Sequence, residues 1–245
     1  MEKCIITHNN WSVENELYTL FKFILPMFED IFGPDIMAKE PCSVYVDTTR
    51  TNPILVTSKQ PIQIALMASP SEWWRVVFQL AHELTHYAVR QCTDYRYKTC
   101  AISAFEEPAA SAITLYILKF CTELWCRCEY CQIDPDYTKF FEYYRNYEYV
   151  SVGGNKPNTY KEWLEIDAKY ATSERPDDSI IRNHLYDTFI DMPNSIATFI
   201  RYTSYLCPKP YEKLIDESKW VLSEPESAVF IKRICEIQPT DIKKL

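Results

Sequence analysis

The sequence predicts an α+β fold: a small sheet beside a long helix, followed by a mostly helical C-terminal part. Three observations predict it. Short β-branched or alternating runs lie close together between residues 43 and 68. Apolar residues recur at helical spacing through most of the remaining chain. Glycine is nearly absent, with only Gly33, Gly153 and Gly154, which argues against an all-β fold built on many tight turns. A chain of 245 residues is long enough for one generous domain, or for one domain with a helical appendage.

The elements follow in order. Residues 12–32 place Leu17, Leu20, Phe21, Ile24, Leu25 and Phe28 on one helical face, with Pro26 as a kink point and Gly33-Pro34 as the stop. Strands are expected at 43–47, 54–57 and 62–68, separated by Asn52-Pro53 and Lys59-Gln60-Pro61. Ser69 can cap the next helix, Pro70 suits its first position and Glu72 completes a capping box, so that helix runs to about Gln91. A second long helix starts near Glu107-Pro108 and continues to about Tyr130. Beyond Asp134-Pro135 the pattern gives helices at about 136–149, 159–171, 178–207 with a break at Pro193, 210–221 and 225–236. The seam falls near residue 133, giving a 1–133 part and a helical 134–245 part that could share one core.

Composition narrows the function classes. Hydrophobic residues are 47% and charged residues 24% of the chain, enough apolar surface to offset chain entropy. The glycine count excludes a Gly-rich phosphate loop and a dinucleotide fingerprint. A net charge of −8 opposes binding to nucleic acid or to an anionic membrane surface. The first residues lack a basic segment followed by an apolar one, so no secretory signal is read. The most apolar run, 109–121, is interrupted by Lys119 and falls short of a bilayer span. The expectation is a soluble, cytoplasmic protein whose ten cysteines are mainly reduced thiols.

The chemistry lies in His82-Glu83-Leu84-Thr85-His86, the HExxH pattern, inside the helix begun at Ser69. Residues four apart share a helical face, so both imidazoles can reach one Zn²⁺ at about 2.0–2.1 Å. Glu83 follows His82 by about 100° of helical rotation and can take a proton from water beside the metal without binding it. Two histidines leave the site incomplete, and a third protein ligand is required.

These residues resemble the zincin metallopeptidases, and within them the gluzincins, over about residues 62–118. The resemblance implies one zinc per chain and a third ligand that is a Glu on the following helix, about twenty residues on. Glu107-Pro108-Ala109-Ala110 fits, and Glu106 with Ala109 fits almost equally. Glu107 is preferred because Pro108 suits a first helical turn. Position 111 is Ser, where the group often has an acidic residue, and Gln79 stands where zincins more often carry Val or Thr. The resemblance also implies that the strand before the active helix, 62–68, is an edge strand for an extended peptide substrate. His184 is a candidate donor to the oxyanion, with several tyrosines as alternatives. The implied partner is a protein or peptide substrate, and the helical C-terminal half could dock another protein. Two other readings share the ligand set: a catalytically silent zinc-stabilised interaction module, and a metal-dependent hydrolase of a non-peptide substrate.

Other conspicuous residues read as packing. Cys121, Cys126, Cys128 and Cys131 do not form two knuckles on turns, and buried free thiols are expected. Trp73 and Trp74, and the aromatic run from Phe140 to Tyr149, read as core. His8 has no evident context.

Overall fold

The computed structural model describes residues 4–92, 103–150 and 179–197. The chain divides into two compact units, 1–91 with 113–150 and 92–112 with 151–245. The described elements are strands β1 (Ile5–His8) and β2 (Trp11–Glu14), helices α1 (Asn15–Phe32) and α2 (Pro34–Met37), strands β3 (Cys42–Val46), β4 (Ile54–Val56) and β5 (Ile62–Leu66), and helices α3 (Trp73–Cys92), α4 (Ser103–Leu124), α5 (Thr138–Val150) and α6 (Ser179–Asp191). Short 3₁₀ turns at Trp125–Arg127, Glu129–Gln132 and Pro135–Tyr137 join α4 to α5.

The five strands form one mixed sheet in the order β1-β2-β3-β5-β4. β2, β3 and β5 run parallel in the middle, and β1 and β4 fold back antiparallel on the two sides. Alternation selects the inward face: Trp11 and Val13, Cys42 and Val44, and Ile62, Ile64 and Leu66 are all buried. Trp11 shows what covers that face. Its ring centre lies 5.2 Å from Phe21 of α1 and 4.8 Å from Tyr87 of α3.

Several expected boundaries shift. Residues 12–14 join the sheet, as part of β2, instead of α1, because β2 pairs with β1 on one side and β3 on the other. α1 runs through Pro26 without interruption and stops at Gly33, whose φ of 93° lies in the region that favours glycine. α3 begins at Trp73, not directly after Ser69. Residues 69–72 form a turn in which the Glu72 carboxylate accepts the Ser69 N–H at 3.1 Å, one half of the expected capping box. The Trp74 N–H in the first turn of α3 donates to the Tyr137 hydroxyl at 3.1 Å instead.

α4 starts at Ser103, so Pro108 sits in its second turn and not at its mouth. A proline there costs one backbone hydrogen bond. The helix is retained because Ala109, Ala110, Ala112 and Ile113 are fully buried just beyond it. α4 ends at Leu124, short of Tyr130, where the buried Trp125 indole donates to the Asp134 carbonyl at 2.8 Å and the chain turns. Among the described residues, 106–127 is the one helical segment long and apolar enough to cross a membrane, whereas its most apolar run was expected to fall short of a span. Most of that segment is buried in the protein, as a core helix is.

Trp73 stacks on Tyr130 with ring centres 4.5 Å apart, and Trp74 lies 4.2 Å from Tyr144. Along α5, Phe141 is buried, while Phe140, Tyr143 and Tyr147 face solvent, so only part of that aromatic run is core. His8 sits at the end of β1, edge-on to Tyr18. In the second unit, α6 stops at Asp191 and a turn at Pro193-Asn194 follows, placing the expected break. The helices expected at 159–171, 210–221 and 225–236 lie outside the described residues.

Candidate metal centre

α3 is helical over its full length because its apolar residues fall on the side facing the sheet, including Val76, Val77, Leu80, Ala81 and Leu84. That register places His82 and His86 together. Their Nε2 atoms stand 3.2 Å apart and their ring centres 4.8 Å apart. Two nitrogens bound to one tetrahedral ion at about 2.0–2.1 Å are themselves about 3.3 Å apart. The histidine pair is therefore already at the spacing of two ligands on one metal.

Among the described residues, His82, His86 and Glu107 form a group that could hold a metal ion, with one ligand atom from each lying within 4.8 Å of the others. All three side chains are half-buried, and Glu107 is carried by α4. The donor chemistry fits a divalent transition ion: two imidazoles that ligate when neutral, and one carboxylate that supplies a negative charge. The structure brings Glu107 into this group and not its neighbour Glu106, although Glu107 lies inside α4 and not at its mouth.

Glu83 is 3% exposed. A solvated helix charge would lie open to water, so burial counts against that reading of Glu83. His184 lies on α6, and its side chain lies outside the described residues.

The cysteine cluster differs. Cys121 and Cys128 are buried, Cys131 is half-buried and Cys126 is exposed, and all four are free thiols. Burial pushes the Cys121 thiol well up and the Cys128 thiol up to about 11. Protonated thiols are poor ligands, since the thiolate binds metal.

Two features were not read from the sequence. The first is the role of Gln79, visible there only as a departure from the family pattern. Its buried side-chain oxygen accepts the N–H groups of Met67 at 3.0 Å and Ala68 at 2.9 Å, where the chain leaves β5. Gln at a position where the family pattern carries Val or Thr was the available signal. The second is the sheet edge. β5 is flanked by β3 and β4, so the expected edge role of 62–68 is corrected: among the described residues the outer strand on that side is β4, which folds back on β5 with Leu55 opposite Ile64.

Comparison with known proteins gives no match: no family model, no curated protein and no solved structure matches the chain.

Proposed function

We propose that the chain is a zinc-dependent metallopeptidase of gluzincin type. The observation that carries this is the convergence of His82, His86 and Glu107, with Glu83 buried on the same turn as the histidines. His82 and His86 would hold the ion through neutral imidazoles, and Glu107 through its carboxylate. When bound, zinc supplies a Lewis acid that polarises a carbonyl and makes water more acidic. Glu83 takes the proton of the attacking water and passes it to the leaving amine nitrogen, so the base of one step is the acid of the next. A further donor, His184 or a tyrosine, stabilises the oxyanion. The substrate is a protein or peptide, and the backbone groups on the outer side of β4 are the place where an extended chain can pair.

Burial of Glu83 favours an enzyme over a purely structural zinc site, which has no use for a base beside its ligands. The test combines elemental mass spectrometry with a peptide-library assay. Wild-type protein should carry about one zinc per chain and cleave peptides. Glu83→Gln should keep the zinc and lose about 10²–10⁴-fold in turnover, the usual contribution of a general base. Wild-type cleavage by Glu83→Gln would sink the mechanism, and a wild-type protein that takes up no zinc would sink the site.

A further inference from the structure

We propose that Gln79 and Tyr87 are positioning residues for the metal centre, two side-chain clamps that seat α3 on the sheet from either side of the His82–His86 turn. The proposal rests on the metal-binding reading above.

Gln79 lies one turn before His82. Both groups bound to its side-chain oxygen are backbone donors, at 3.0 and 2.9 Å, so the accepting atom is fixed as the amide oxygen. Nothing apolar could replace it without leaving the N–H groups of Met67 and Ala68 without that acceptor. Tyr87 immediately follows His86. Its hydroxyl donates to the Glu40 carbonyl at 2.7 Å and accepts the Glu40 N–H at 3.2 Å. That ties the second half of α3 to the residue two before β3, while the ring packs on Trp11.

The helix itself fixes the spacing between the two histidines. It does not fix its own place on the sheet. A slip of one residue moves the pair by about 1.5 Å and turns it by about 100°. Ligand distances tolerate about 0.2 Å. Apolar packing selects which face of α3 is buried but is non-directional at the finer scale of ligand distances, whereas a hydrogen bond to a named backbone group has one partner and one length. With Gln79 on one side and Tyr87 on the other, the histidine turn is held at both ends. Since the third ligand comes from another helix, the placement of α3 decides whether three donors meet.

The experiment is a Co²⁺ titration of the full chain, read by visible absorption and by competition with a chelator, alongside thermal unfolding. Gln79→Leu and Tyr87→Phe should each bind Co²⁺ about tenfold more weakly, the lower end of what outer-shell changes cost, with an altered absorption band. Gln79→Glu keeps an accepting oxygen and should restore the wild-type affinity and band. If the unfolding temperatures fall while affinity and spectrum stay wild-type, the clamps are structural only and the proposal is overturned. If Gln79→Leu does not fold, Tyr87→Phe, which removes a single oxygen, decides alone. A wild-type chain that binds no Co²⁺ overturns the metal reading itself, before any variant is compared.

Discussion

Residues 82–86 and residues 121–131 both carry ligand-type side chains at close spacing, yet the fold presents them differently. The histidines stand on one face of an unbroken helix, with their Nε2 atoms 3.2 Å apart. The cysteines straddle a helix end and two 3₁₀ turns, so their directions diverge: Cys121 and Cys128 point inward and Cys126 outward. The first set keeps its donors half-exposed, and imidazole ligates while neutral. In the second, burial holds two thiols in the protonated form that does not ligate. Close spacing in sequence becomes a site only when one rigid element aims the donors together and their protonation state suits the ion.

The comparison can be broken most forcefully at the third ligand. Glu107→Ala should weaken zinc binding by more than about a hundredfold, beyond the range of an outer-shell change, while Glu106→Ala should stay within about threefold. Chelator competition measures both, and the reverse ranking would transfer the ligand to Glu106. The cysteines come next. At pH 7 a thiol with a pKa of about 11 is only about 10⁻⁴ thiolate, so alkylation should mark Cys126 first and leave Cys121 and Cys128 largely unmodified. Labelling of Cys128 should rise steeply toward pH 11. Its folded pKa lies above the ordinary value of 9.0, so the unfolded chain releases this proton first and Cys128 should lower stability as pH climbs from 9.0 to about 11. Zinc-dependent protection of Cys126 and Cys131 from the label would return the cluster to the metal-binding class. The smallest effect is at the start of α3. Tyr137→Phe removes the acceptor of the Trp74 N–H and should cost about 1 kcal/mol, read as a lower unfolding midpoint with metal affinity unchanged.

Local pattern made much of this legible. The HExxH turn, the apolar face of α1 and the strands near 43, 54 and 62 all follow from side-chain period, which neighbouring residues determine. What was not legible depends on partners far away in sequence. Ser12 to Glu14 read as the start of a helix, and only pairing of this stretch with Cys42 to Val44 draws it into the sheet. The edge role of 62–68 came from the resemblance, and nothing in the pattern of that run reveals that β4 pairs with it. Pro108 suggested a helix start, and the burial of Ala109 to Ile113 outweighed that local preference. Gln79 stood out by type, but its purpose needs the position of the chain leaving β5. His184 could be named from the sequence but not aimed.

β4 is three residues long. Because backbone groups along a strand alternate in direction, its outer side offers the N–H and C=O of about two residues to anything lying beside it. So short a ladder gives little grip on a backbone and is a poor template for unwanted strand pairing. A peptide bound there would have to be chosen by its side chains, so discrimination among substrates would rest on the walls around the sheet edge and not on the edge itself.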